Sequence, residues 1–197
     1  MNVRGSLNIF TAVLAVGLVA AFCVPAPAAE TYKLDPALSA IVFRAKYQGV
    51  AIAYGRFNGP TGSFVFDESA PAKSAIEVRL NAKDVDTAVE KRDKHLKSPD
   101  FFDAAEHPLV TFYSTSVKKI NNDTYQVTGN LTLLGKSRPI TVIASHTGSG
   151  KDPWGNFLRG FETSFKIKRS DFGMNFMLNG VDDEVAIIVS VTGIRQK

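Results

Sequence analysis

Apolar and polar residues alternate along most of the chain after residue 30, with the period of two that is typical of β-strands buried on one face. In residues 125–133, for example, the odd-numbered positions are apolar or glycine and the even-numbered positions are polar. The alternation predicts about eight strands, at residues 40–47, 57–66, 76–80, 110–117, 125–133, 139–147, 161–168 and 185–191.

Short turn sequences separate the predicted strands, at residues 121–123, 134–136, 148–150 and 179–180. Short loops between successive strands favour an antiparallel, up-and-down arrangement. Because each strand has one apolar face, the strands need a common interior, and eight strands close into a barrel that side chains fill or that holds one small ligand. The pattern therefore predicts an all-β fold, an eight-stranded antiparallel barrel, with a two-sheet sandwich as the alternative architecture.

Residues 91–103 interrupt this pattern. They begin with helix-forming charged residues, break at Ser98-Pro99, and continue with two aromatic residues between two aspartates. We predict a short helical insertion that crosses one end of the barrel, with Phe101 and Phe102 pointing inward.

The first 29 residues have the three parts of a secretory signal. Arg4 supplies a positive start, residues 7–24 are almost entirely apolar, and Ala26-Pro27-Ala28 fits a cleavage pattern. A retained transmembrane anchor is the alternative, but the apolar run is barely long enough and ends in small residues and prolines. We therefore predict a signal peptide over residues 1–29, a barrel domain over residues 30–197, and a periplasmic or secreted protein.

The charge and cysteine content narrow the classes of partner. The whole chain carries a formal net charge of +4, and removal of the signal lowers it by one, because Arg4 is the only charged residue before Glu30. A mildly basic protein is compatible with an acidic head group or with transient contact with a membrane surface, but it lacks a nucleic-acid signature. Cys23 is the only cysteine, so the exported chain has no disulfide. The sequence does not determine the oligomeric state, and a homodimer is one possibility.

Candidate catalytic and metal-binding residues lie in and after the insertion. Asp93, His95 and Ser98 have the residue types of a hydrolase triad, but the first two project in different directions from a helix and no nucleophile-elbow motif surrounds the serine. His95, Asp103 and His107 lack the spacing of a metal site. We expect no catalytic centre, no metal and no catalytic cofactor, and keep a hydrolase or isomerase that uses Asp93 and His95 as the alternative.

The apolar residues are unusually rich in phenylalanine. The chain has 14 phenylalanines and one tryptophan, and the phenylalanines are spread over most of the predicted strands and the last loop. These side chains either fill the core or line an elongated apolar cavity. Met174 and Met177 lie close to the last loop, where flexible side chains suit an adaptable rim.

Motifs along nearly the whole chain after the signal resemble the YceI-like family of exported bacterial proteins. The central motif H-L-x-S-x-D-F-F-D occupies residues 95–103, and R-x-D-F-G-M occupies residues 169–174. G-x-L-T-x-x-G matches residues 129–135. Further matching segments are residues 32–35, 39–43, 55–57 and 62–64, together with Pro108, Phe112 and Ser114-Thr115.

The resemblance implies a lipocalin-like barrel that holds a long polyisoprenoid, such as a polyprenyl phosphate or an isoprenoid quinone, and it brings no catalytic residues. Lys136, Arg138, Arg159 and Arg169 are candidates for a phosphate head group because of their places near strand ends. The expected ligand-binding residues are Phe43, Phe64, Phe66, Val78, Phe101, Phe102, Phe112, Leu131, Phe161, Phe165, Phe172, Met174 and Phe176.

Overall fold

The computed structural model describes Met1 and residues 29–197, which contain an antiparallel sheet of 11 strands. The predicted signal peptide lies outside the described residues apart from Met1 and Ala29. The strands are β1 (Glu30–Leu34), β2 (Ala40–Tyr47), β3 (Ala51–Phe57), β4 (Thr61–Phe66), β5 (Ala75–Asn81), β6 (Val85–Asp86), β7 (Leu109–Lys119), β8 (Thr124–Leu133), β9 (Lys136–Lys151), β10 (Phe157–Lys168) and β11 (Glu184–Arg195).

Eight of these strands close a barrel in the order β1-β4-β5-β7-β8-β9-β10-β11, and β11 pairs back with β1. The closed antiparallel ring confirms the predicted eight-stranded lipocalin-like barrel. The long strand β11 pairs with β1 through Gly193–Arg195 and with β2 through Ala186–Ser190. At the end of β11 that does not pair with β1, the β2–β3 hairpin therefore continues the wall. The short strand β6 pairs with β3 only at Arg56 and Phe57.

The strands differ from the prediction in several places: β1 was not predicted, and β9, β10 and β11 are longer than predicted. Two further differences concern residues 57–66 and 148–150. Residues 57–66 are not one strand: they hold the end of β3, a turn in which Gly59 has φ 62°, and then β4. Residues 148–150 do not form a turn but continue β9, because Gly148 and Gly150 pair with Gly160 and Leu158 of β10. Long-range pairing thus outweighs the local turn preference of glycine and serine at that position.

The insertion begins with helix α1 (Glu90–Leu96) and continues in turns to residue 107. The backbone N–H of Phe102 donates to the carbonyl of Leu96 over 2.9 Å, so the chain folds back under the helix. Phe101 and Phe102 are buried, and the ring of Phe102 packs edge-on against Phe57 with 5.3 Å between centroids. The short helical insertion and the inward aromatic pair are both confirmed. In the part of the chain that the structure covers, helices are too short or too polar to cross a membrane.

Buried apolar side chains gather at both ends of the barrel. One cluster lies beside the insertion and includes Val110 and Leu133, whereas the other includes Val117 and Tyr125 from the opposite ends of β7 and β8. Several inward residues between the clusters are only partly buried. The packing is therefore dense at the two ends and leaves space between them.

Candidate ligand-binding site

An apolar cavity of about 250 Å³ lies inside the barrel and is bordered by both clusters. Phe112, Phe161 and Phe165 line this cavity and are only half-buried, although the Phe161 ring also packs against Phe64 and Phe66. Close-packed protein interiors leave few voids larger than a water molecule. The barrel is therefore hollow, with a wall suited to an apolar ligand.

Most of the predicted binding residues line this cavity. They are Phe43, Phe64, Phe66, Val78, Phe101, Phe102, Phe112, Leu131, Phe161, Phe165 and Met174. Phe172 and Phe176 lie outside the lining. Phe172 is buried within the packing beside the insertion, and Phe176 is partly exposed with its ring against His95 and Phe101. The role of all of these residues in binding stays a prediction.

Aliphatic side chains missing from the prediction also form the wall. Ile187, Val189 and Val191 of β11 all line the cavity, as do Ile41 of β2 and Val142 of β9. The period-two alternation could have identified them, because they share a face with residues that were predicted to point inward. The prediction of binding residues concentrated on phenylalanine and therefore omitted them.

Three inward-facing glycines let phenylalanine rings lie along the wall. Gly55 pairs directly with Phe43, and a Cβ atom on Gly55 would lie less than 3.0 Å from three atoms of that ring. A Cβ atom on Gly129 would likewise lie less than 3.0 Å from the ring of Phe112, and one on Gly193 from the ring of Phe64, although neither glycine pairs directly with that phenylalanine. Aromatic side chains reach past the directly opposite position of a sheet, so each of these rings lies against a glycine of the inner wall. The glycines thereby keep space open for a ligand.

A second space, the lateral groove, separates the β2–β3 hairpin from helix α1. It measures about 420 Å³ and is lined by residues 51–54 of β3, by Thr87, Arg92 and His95, and by Met177. The groove and the cavity share Phe43, Ala45, Leu96, Phe101 and Val181 as lining residues, so the two spaces adjoin. Within residues 29–197 no strand pairs with the outer edge of β3 at residues 51–54. The groove therefore gives the cavity a side opening.

The opposite end of the cavity is closed by aromatic residues, and Arg159 packs against them from outside the lining. Arg159 is 9% exposed, and its guanidinium lies 4.5 Å from the ring centroid of Phe66. Its charge is balanced by Glu30 at 3.9 Å and by Glu68 at 3.7 Å. Tyr32 is fully buried beside it, and burial, together with the hydrogen bond to Glu30, raises the pKa of Tyr32 to about 12. This end thus holds a neutralised cation.

Arg169 has a structural role. Its guanidinium donates four hydrogen bonds to the carbonyls of Met174, Phe176, Val181 and Asp182, over 2.8–3.1 Å. Burial lowers the pKa of Arg169, and nearby Asp183 opposes that shift. The residue therefore holds the loop that leads from β10 to β11, and this arrangement argues against a contact with a phosphate.

Lys136 and Arg138 also differ from the expected head-group contacts. Both lie exposed at the start of β9, and Arg138 donates to the carbonyl of Asp171 over 3.1 Å. Neither lines the cavity or the lateral groove.

The possible catalytic residues of the insertion do not form a triad. Asp93 accepts hydrogen bonds from the backbone N–H and the hydroxyl of Thr87, whereas the Nε2 of His95 lies 2.8 Å from a carboxylate oxygen of Asp100. The hydroxyl of Ser98 donates to the carbonyl of His95. Among residues 29–197 there is no group of three or more histidine, cysteine, aspartate or glutamate side chains that could hold a metal ion.

Comparison with known proteins places this barrel in a family. The sequence matches the YceI-like domain over residues 32–193. The chain belongs to the YceI-like family. A relative, a UPF0312 protein of Pseudomonas paraeruginosa, is 45% identical over 170 residues, which cover 85% of this chain and 88% of that protein.

Solved structures share this architecture. The crystal structure of BcnA from Burkholderia cenocepacia matches with a TM-score of 0.74 and 25% identity, over 81% of this chain and 98% of that one. A polyisoprenoid binding domain from Saccharophagus degradans matches with a TM-score of 0.65 over 84% of this chain and 98% of that one. The second match is 14% identical, so it concerns the fold alone.

Proposed function

We propose that this YceI-like protein is an exported binding protein that holds one long isoprenoid lipid in its barrel for carriage, storage or sequestration. The observation that carries the proposal is the apolar cavity, which is open at the lateral groove and closed near Arg159. A polyisoprenoid binding domain of the same fold, from Saccharophagus degradans, supports this class of ligand. The ligand is a polyprenyl phosphate or an isoprenoid quinone.

The cavity matches the physical needs of such a lipid. An isoprenoid tail is insoluble and makes few directional contacts, so apolar walls suffice to bind it. Burial of roughly 600 Å² of apolar surface at about 25 cal/mol per Å² contributes about 15 kcal/mol before costs. Loss of rigid-body freedom and ordering of the tail remove about half of this or more, which leaves micromolar to nanomolar affinity.

Loading of the lipid takes place at a membrane surface in this proposal. Ile52 and Tyr54 are exposed beside the lateral groove, and on the outer face of the hairpin they pair with Lys46 and Arg44. Arg56 adds a third cation to this face, opposite Asp86 of β6. Exposed apolar side chains with neighbouring cations suit the interface of an anionic bilayer. The predicted signal peptide puts this bilayer outside the cytoplasm.

The proposal assigns no reaction to the protein. Asp93 and His95 are bonded to Thr87 and Asp100 instead of to each other. The cavity has apolar walls, and the protein of the same fold from Saccharophagus degradans is a binding domain. Binding is therefore the activity that the geometry supports best.

Replacement of Phe165 by Asp tests the proposal. Phe165→Asp puts an unpaired carboxylate against the apolar cavity, where it costs several kcal/mol in contact with a lipid tail, so the variant is expected to lose binding at least tenfold. Ile188→Asp is the matched control, because Ile188 is an exposed apolar residue of the neighbouring strand β11. Binding of polyprenyl phosphate and of isoprenoid quinone is measured by native mass spectrometry, and folding by circular dichroism. A folded Phe165→Asp protein that binds these lipids normally contradicts the proposal.

A further inference from the structure

The polar atoms around the lateral groove are unevenly distributed. The groove is lined by apolar and tyrosine side chains, except at helix α1 and just before it, where Thr87, Arg92 and His95 face it. Arg92 is the only residue of this lining with a permanent charge, and none of the lining residues is a carboxylate. A polar group attached to a lipid tail therefore meets a positive site as it leaves the cavity.

Arg92 is held in place by neutral acceptors. Its Nε donates to the hydroxyl of Thr87 over 2.8 Å, and its Nη2 donates to the carbonyl of Thr87 over 2.9 Å. Thr87 is in turn fixed by Asp93, which accepts from both its backbone N–H and its hydroxyl. In the described part of the chain, Nη1 of Arg92 makes no hydrogen bond and the guanidinium has no ion pair with a carboxylate. An oriented guanidinium with free N–H groups is suited to phosphate oxygens.

The other charged groups near the groove are already paired. His95 lies against Asp100 at 2.8 Å, and Asp93 is occupied by Thr87. Two arginines are buried: Arg169 donates to four backbone carbonyls, and Arg159 lies at the closed end, where Glu30 and Glu68 would repel an added anion. An anionic head group is therefore favoured at Arg92 over Arg159.

We propose that the lateral groove is the head-group site of the bound lipid and that Arg92 recognises a phosphate monoester there. This inference rests on the proposed function, because it requires a tail in the cavity. The tail passes Phe43 and Phe101, which border both spaces, and the phosphate stays at the surface between helix α1 and the edge of β3. The phosphate keeps part of its hydration in this position, so the protein need not bury the full charge.

The test compares geranylgeranyl phosphate with geranylgeraniol, which have the same tail and differ in the phosphate. Wild-type protein is expected to bind the phosphate more tightly. Arg92→Gln is expected to weaken binding of the phosphate about tenfold and to leave binding of the alcohol unchanged. Arg92→Lys keeps the charge and is expected to retain part of the preference. Lys94→Gln is the matched control, because Lys94 is an exposed cation of the same helix outside the groove lining.

The outcomes separate the two proposals. Wild-type protein that binds neither lipid contradicts the proposed function and this inference with it. If both lipids bind and Arg92→Gln leaves their affinity ratio unchanged, the head-group site is wrong and the isoprenoid-binding function stands. A loss of the preference in Arg159→Gln but not in Arg92→Gln places the phosphate at the closed end and also overturns the inference. Thermal unfolding of each variant shows that the comparison is made on folded protein.

Discussion

At the residue scale, the size of the cavity depends on pairs of glycine and phenylalanine. Gly55 and Phe43 are the clearest pair, because atoms of the Phe43 ring are the nearest neighbours that an added Cβ atom would meet. Phe43 also borders both the cavity and the lateral groove. The position of this ring therefore controls the passage between the two spaces.

Replacement of Gly55 by Ala is expected to push the Phe43 ring into that passage. Overpacking of this kind costs about 1–3 kcal/mol in stability, and the displaced ring takes up space that the tail needs. We expect Gly55→Ala to lower the affinity for a polyprenyl lipid about tenfold, as measured by titration with a fluorescent isoprenoid.

Two further variants identify the cause of that loss. Gly150→Ala is the control, because a Cβ atom there meets no other atom within 4 Å. The double variant Gly55→Ala/Phe43→Leu removes the clash and is expected to recover most of the affinity. Unchanged affinity in Gly55→Ala would show that the Phe43 ring does not limit the passage.

The orientation of single residues was predicted correctly where the alternation is strong. It was predicted poorly where contacts with distant parts of the chain determine it. Phe161 and Phe165 point inward as the pattern of β10 indicates. Phe176 lies in the last loop, where no periodicity exists, and it packs on His95 and Phe101 from the insertion. The head-group role proposed for Arg92 rests on its hydrogen bonds to Thr87 and on its place in the lateral groove, and neither leaves a local sequence signal.

At the element scale, strand β3 of the β2–β3 hairpin was hard to predict. The inward positions of β3 are Ala51, Ala53, Gly55 and Phe57, so small residues weaken the apolar alternation. The same small residues leave room for the groove beside the free edge of the strand. Strand β2, with Ile41 and Phe43 inward, was predicted with its observed limits.

The hairpin is expected to bring the protein to an anionic membrane. Each cation near the bilayer contributes about 1 kcal/mol, so Lys46→Gln is expected to lower partitioning into phosphatidylglycerol vesicles roughly fivefold. Lys151→Gln, an exposed cation on β9, serves as the control. Co-sedimentation with vesicles measures the effect, and raised salt is expected to weaken binding of the wild-type protein. Equal partitioning of the two variants would contradict a membrane contact at the hairpin.

At the scale of the whole molecule, a closed wall and an interior too large for its side chains together make a container. Closure follows from the alternation of the long strands and was predicted from the sequence. The hollow interior was one of two interpretations, because phenylalanines that fill a core and phenylalanines that line a cavity have the same spacing. Inward glycines on β3, β8 and β11 decide between these interpretations only when their partners across the sheet are known.

Analysis of the lipid carried by the protein is the most direct test of the central claim. The chain is produced in a bacterium with its first 29 residues intact, purified without detergent, and extracted with organic solvent for mass spectrometry. The expected result is an isoprenoid lipid in nearly equimolar amount, with its tail released only when the barrel unfolds. An extract without isoprenoid, from a protein that also fails to take up added polyprenyl phosphate and isoprenoid quinone, would contradict the account.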